Sequence, residues 1–236
     1  QGYSDTIPSA VTLSSGSILG SVAGTLNATA FNVYSGSISQ NLSGGSPLTK
    51  LGAGTVTLSG SNLYTAGTSI NEGTLRLAAA NAIPASGNIT FSGGVLEYAA
   101  GVSQDVAARI KNSASPIKIA IESGVTYAGA IGSSNSGGLI KLGEGMLQLK
   151  GTNTYGGPTN ITAGTLILGD WTQAPPSGGT GFLPDSTALT VAAGTELIGN
   201  CLTADGGLYT ETIGSLSGAG TVSLSSYRSR FWLKTG

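Results

Sequence analysis

Residues 54–77 read GTVTLSGSNLYTAGTSINEGTLRL, and a five-residue unit, Gly-Thr-apolar-x-Leu, stands at Gly54–Leu58 and again at Gly73–Leu77. Within each unit the apolar residues alternate with polar ones. In GTLRL, Leu75 and Leu77 face one way while Thr74 and Arg76 face the other. That period of two marks a half-buried strand of about 5 residues, and Thr with the β-branched residues suits it. Strands of this length span roughly 17 Å, so two or three of them with short turns use about 20 residues in one circuit. A unit that returns after 19 residues therefore lands parallel to its predecessor, with Leu75 over Val56 and Leu77 over Leu58. The spacing predicts an all-β fold, a parallel β-helix in which neighbouring coils complete a core that no coil can bury alone.

A longer repeat contains this one. LTKLGAGTVTLSGSNLYTAGTSINEGTLRLA (48–78) aligns without gaps on LIKLGEGMLQLKGTNTYGGPTNITAGTLILG (139–169), with 15 of 31 positions identical at an offset of 91. The identities include Lys50, Gly54, Asn62, Tyr64, Thr68 and Gly73. GAGTVSL (218–224) echoes GAGTVTL (52–58), and looser relatives are GTLNA (24–28), GNITF (87–91), GVLEY (94–98) and GTELI (194–198). Glycine and Asn/Ser pairs between the units supply the turns. VSQDVAARIKN (102–112) is the one stretch with a helical face. A β-sandwich or hairpin series is the competing architecture, and it is disfavoured because Asp205-Gly206 is the one two-residue hairpin turn candidate.

Composition narrows the function. Of 236 residues, 39 are glycine and 9% are charged, against a usual charged share of roughly 25%. The formal charge is −1 with 10 basic residues, which leaves no phosphate-neutralising stripe for nucleic acid. Histidine is absent, removing the usual general base and the commonest metal ligand. Cys201 is the single cysteine, so neither an intrachain disulfide nor a Cys-based zinc site can form. No apolar run reaches the ~20 residues of a membrane helix, and no cofactor motif is present.

The pattern LTKLGAGTVTLSGSN-Y--GT-IN-GTL-L closely resembles the autotransporter-associated β-strand repeat, or passenger-associated transport repeat. The family's consensus is approximately G-L-T-K-x-G-x-G-T-L-T-L-S-G-x-N-T-Y-T-G-G-T-x-I-x-x-G-T-L. Both long copies match it, and IGSLSGAGTVSL (213–224) resembles a degenerate third unit. The resemblance implies a right-handed parallel β-helix in an exported bacterial surface protein, secreted through an outer-membrane β-barrel, with the repeat as a scaffold that assists export. QGYSDTIPSAV at the start has no signal-peptide pattern and no barrel pattern follows. The expectation is thus a passenger or a piece of one, a single elongated domain over 1–225 with a tail, 226–236, that breaks the repeat.

Three functional readings follow. The leading one is a non-enzymatic, secreted or surface-exposed scaffold that adheres to other surface molecules, to glycans or to copies of itself, including fibres by end-to-end stacking through open strand edges. A carbohydrate-binding module is the second. Its aromatic candidates are Tyr64 and Tyr155, which recur beside Asn62 and Asn153, and Trp171 and Phe182 in the proline-rich segment GDWTQAPPSGGTGFLPDS (169–186), which must leave the ladder as a loop. Against the Asn-Tyr row stands turn chemistry, with Asn bonding its own backbone and Tyr packing beside it. A polysaccharide-degrading enzyme is the third. Glu72, Glu97, Glu122, Glu144, Glu196 and Glu211 are solitary in sequence and read as solvated, and Arg109-Ile110-Lys111, a triplet also found in polygalacturonases, lacks the aspartates and histidine that such an enzyme needs.

Overall fold

The computed structural model describes residues 4–20, 24–169, 182–199, 208–226 and 229–235. Nearly all of the regular structure is short parallel strands, most of three or four residues, shorter than the five expected because the glycine corners take the rest. The helical face over 102–112 yields a single 3₁₀ turn, Ala107–Arg109.

The first expectation holds residue for residue. Thr74–Leu77 lies parallel on Thr55–Leu58 with Leu75 opposite Val56 and Leu77 opposite Leu58. The next coils continue both files, Leu96 then Ile119 behind Leu75, and Tyr98 then Ile121 behind Leu77. All eight side chains are buried. Each fully buried aliphatic or aromatic side chain contributes about 1.5–3 kcal/mol, and no coil could bury its own without the next. The fold is a parallel β-solenoid.

Coil length varies while register does not. Successive partners in the longest sheet, Thr55, Thr74, Val95, Lys118, Ile140 and Asn160, are separated by 19, 21, 23, 22 and 20 residues. The step from Asn160 to Thr190 takes 30 and contains the proline-rich segment.

One strand reassigns the sides of the solenoid. Ile117–Ile121 pairs through Lys118–Ile121 with Val95–Tyr98 on one side and through Ile117–Ala120 with Leu139–Leu142 on the other. In the first repeat copy Leu48–Lys50 belongs to a five-stranded sheet and Thr55–Leu58 to the ten-stranded one. In the second copy the counterpart of Leu48–Lys50, Leu139–Leu142, has moved into the ten-stranded sheet, and Met146–Leu149 lies second in a new one that Gly124–Tyr127 opens. Two copies of one sequence thus occupy different sheets without changing their own local structure.

The tail adds a strand. Ser229–Thr235 runs parallel to Leu208–Ile213 and turns back on Ser225–Ser226. The degenerate third unit supplies two further strands, Ser215–Gly218 and Thr221–Ser223, stacked on Ala188–Val191 and Glu196–Gly199.

Candidate adhesive surface and the residues that hold it

The repeat's fixed positions serve the interior. Lys50 sits in an inward file between Val33 and Ile70, and Lys141 between Ile119 and Ile161; both are fully buried. Each ammonium curls to the corner that follows its strand. Lys50 Nζ donates to the carbonyls of Leu51 (2.7 Å), Gly52 (2.7 Å) and Glu72 (3.1 Å). Lys141 Nζ donates to Leu142 (2.9 Å), Gly143 (2.7 Å) and Ala163 (3.0 Å), the equivalent positions. Burial lowers both lysine pKa values, that of Lys141 to about 8 with Glu144 pulling the other way. Sequence reasoning missed this role, although both lysines are among the identities, because an alternating strand gives no reason to turn a lysine inward.

The Asn-Tyr pairs pack as the turn reading expects, and Asn153 Nδ2 bonds its own turn at Gly151 (3.0 Å), but the asparagines also reach beyond it. Asn62 Oδ1 accepts the N–H of Leu42 in the preceding coil (2.8 Å) and its Nδ2 donates to the carbonyl of Ala82 in the next (2.7 Å). Asn153 does the same between Ile131 (2.8 Å) and Phe182 (2.5 Å). The amide ties three coils together rather than bonding only its own turn. Tyr64 and Tyr155 are 0% and 1% exposed, each with its hydroxyl 2.7 Å from the Oγ1 of the threonine four residues on, Thr68 and Thr159. Their rings offer no face to a sugar. Phe182 is likewise buried at 2% exposure, and Trp171 lies outside the described residues, as does Cys201.

Two carboxylate expectations change. Glu97 and Glu122 are not solitary, because Arg76 donates through Nε to Glu97 (2.9 Å) and through Nη2 to Glu122. That hydrogen bond from Arg76 holds the Glu122 carboxyl below its usual range. Glu211 is buried and accepts the N–H groups of Phe182 (2.8 Å) and Leu183 (2.5 Å), where a solvated face was expected. Glu72 and Glu144 are exposed. No cluster of three or more metal-ligating side chains occurs among the described residues.

One outward file is polar throughout. On the five-stranded sheet that holds Leu48–Lys50, Thr12, Asn32, Thr49, Ser69 and Thr90 stand in register on the outward side, one per coil, Thr12 exposed and the other four half-buried. Beyond Thr90, whose hydroxyl donates to the Lys111 carbonyl (3.1 Å), the surface dips into a groove of about 480 Å³ lined by Asn88, Lys111, Asn112, Gly132, Ser133, Ser134 and Thr154. Large exposed apolar residues such as Leu19, Leu63 and Met146 occur singly, as on any protein surface. No helix among the described residues is long and apolar enough to cross a membrane.

Residues 48–77 and 139–168 each match the passenger-associated-transport-repeat family. The two matches fall on the two long repeat copies and cover 30 residues each of the 236. Lys50/Lys141, Asn62/Asn153 and Tyr64/Tyr155 all fall inside these repeats, so the repeat's fixed polar residues are those that fasten its coils. The chain is also 35% identical over 134 residues to the adhesin BmaC autotransporter of Brucella suis biovar 1 (strain 1330). The aligned stretch is 56% of this chain and 4% of that protein. No solved structure matches the chain.

Proposed function

We propose that this chain is a segment of a bacterial surface-exposed passenger that acts without catalysis, as an adhesive scaffold. The observation that carries the reading is the coincidence of two transport repeats with an unbroken parallel ladder, in a chain 35% identical over 134 residues to an autotransporter adhesin. The buried lysines, asparagines and tyrosines of the repeats are spent on holding coils together, which leaves adhesion to the outward files. Export through an outer-membrane barrel, with folding outside the cell, is part of the same proposal. The test is display of the chain on a non-adherent bacterium and measurement of attachment to host cells and to matrix-coated plates. Attachment above that of an unrelated β-solenoid supports the reading, and attachment equal to it overturns the reading.

Self-association is the finer part of this proposal. Among the described residues the ten-stranded sheet ends at Ser17–Ile18 and Ser215–Gly218, and strand edges of this kind accept further strands. Sedimentation velocity across a hundred-fold concentration range tests it; a single unchanging monomer peak removes it.

A further inference from the structure

The groove beyond Thr90 is built by four successive coils, each giving one stretch: Asn88, then Lys111 and Asn112, then Gly132–Ser134, then Thr154. Three inter-coil steps of ~4.8 Å give it a length of roughly 14 Å along the solenoid axis. Its two central walls are fixed from beneath by Asn135, fully buried, whose Nδ2 donates to the carbonyls of Ile110 (2.9 Å) and Gly132 (3.0 Å) while its Oδ1 accepts the N–H of Ser113 (3.0 Å). Between these anchors Asn112 adopts φ +57°, the one positive φ of a non-glycine residue among those described, and its N–H donates to Ser134 Oγ (3.3 Å). Arg109 donates to the carbonyls of Ser86 (3.2 Å) and Gly87 (3.5 Å) and so steadies the loop that presents Asn88. A concave surface held this rigidly is preorganised, and a ligand binding there need not order it.

The lining chemistry selects the ligand. Amides, hydroxyls and one ammonium surround the groove, with no aromatic or large aliphatic side chain to anchor a peptide. Lys111 Nζ has no hydrogen-bond or ion-pair partner among the described residues. One cation is too few for a nucleic-acid backbone but enough to fix one acid group. Leading into the groove, Thr12, Asn32, Thr49 and Ser69 form an uncharged file whose side chains bond to no other described residue. Hydroxyl and amide groups at a regular axial spacing suit a polymer of hydroxyls lying along the axis.

We propose that the groove formed by Asn88, Lys111, Asn112, Ser133, Ser134 and Thr154 binds an acidic polysaccharide, its carboxylate or sulfate on Lys111 and its neutral hydroxyls along the Thr12–Thr90 file. The site gives the adhesive reading a ligand and rests on that reading for its biological use.

The test is titration of the purified chain with size-defined hyaluronan (carboxylate only), heparin (sulfate-bearing) and dextran (neutral) by calorimetry at two salt concentrations. Hyaluronan or heparin is expected to bind, more weakly at the higher salt, and whichever binds identifies the acid group. Lys111→Gln should weaken binding at least ten-fold, and Lys118→Gln, on a different sheet, should not change it, with circular dichroism and melting confirming that both fold. Thr49→Glu should weaken long oligosaccharides and spare short ones. Absence of binding to either acidic polymer, equal binding of dextran, or indifference to Lys111→Gln overturns the site. Adhesion by displayed cells that persists in a chain binding no acidic glycan overturns the site and spares the adhesive reading; glycan binding without adhesion does the reverse.

Discussion

Lys50 and Lys141, 91 positions apart in sequence, each hold three backbone carbonyls at equivalent places, two in their own corner and one in the next coil. An ammonium has three N–H donors, so each lysine is saturated by the corner it closes. Replacing Lys141 with Met keeps the volume and the apolar stem but strands three partly buried acceptors. Each stranded acceptor costs about 1–3 kcal/mol, offset by the burial cost of the charge that is removed. The net expectation is a loss of about 2–3 kcal/mol, read as a lower urea midpoint with an unchanged slope. No loss would mean that the corner is held by its glycines alone.

The same lysine gives a pH signature. Lys141 titrates at about 8 in the folded chain against an ordinary 10.5. Between those values the unfolded chain binds the proton that the folded chain has released, so stability rises with pH across this window. Carbon NMR of the Lys141 side chain should show a midpoint near 8, moving lower still in Glu144→Gln because the raising charge is gone. Equal midpoints in the two proteins would discard the assignment.

Tyrosine acts in the opposite sense at higher pH. Burial raises the phenols of Tyr64, Tyr98, Tyr127 and Tyr155 above their ordinary value. Above about pH 10 the unfolded chain loses phenolic protons that the folded chain keeps, so stability falls. Of the eight tyrosines, these four should ionise only as the far-ultraviolet signal collapses. Their smooth titration near pH 10 in a still-folded protein would contradict the burial of all four.

Gly73 and Gly164 open the second Gly-Thr-apolar-x-Leu unit of each repeat, at φ +58° and +65°. A Cβ on Gly73 would lie 2.4 Å from the Gly54 carbonyl oxygen, and one on Gly164 would lie 2.4 Å from that of Gly145. Gly73→Ala therefore combines a left-handed backbone with a clash against the preceding coil, and a cost of roughly 2–4 kcal/mol is expected. Gly101→Ala also carries a positive φ, +77°, but meets nothing within 4 Å, so it should cost about 1 kcal/mol. The difference between the two melting points isolates the contact between coils.

Asn62→Ala and Asn153→Ala each remove an amide that bridges two neighbouring coils. Both leave a buried N–H and a buried carbonyl without their partner, at an expected cost of about 2–4 kcal/mol. Arg76→Gln, which breaks two partly exposed ion pairs, should cost less than either. A larger effect at Arg76 than at Asn153 would reverse the ranking of interior over surface contacts.

How much of this was legible in the sequence depended on repetition. Leu75 over Val56 followed from a period of two combined with a spacing of 19, and the register needed nothing more. Lys50 and Asn62 were visible as identities but not as roles, since their partners, Glu72 and Leu42, are neighbours only once coil length is known. Tyr64 stood between a sugar-stacking row and a packed turn, because aromatic recurrence looks alike whether a ring faces in or out. Ile117–Ile121 has no counterpart in the repeat, so its exchange of sheets left no trace in the pattern. The groove was hidden for a similar reason. Asn88, Lys111, Ser133 and Thr154 lie 21 to 23 residues apart, outside both long repeat copies except the last, and their alignment comes from three unequal coils.

Because the strand ladders among the described residues join each coil to the coils before and after it, tension applied along the axis loads the ladders in series. Such a rod yields by peeling from an end, one circuit at a time, at a force set by its weakest junction rather than by its length. Extra circuits would add reach and extensibility without raising the load at which the first one lets go.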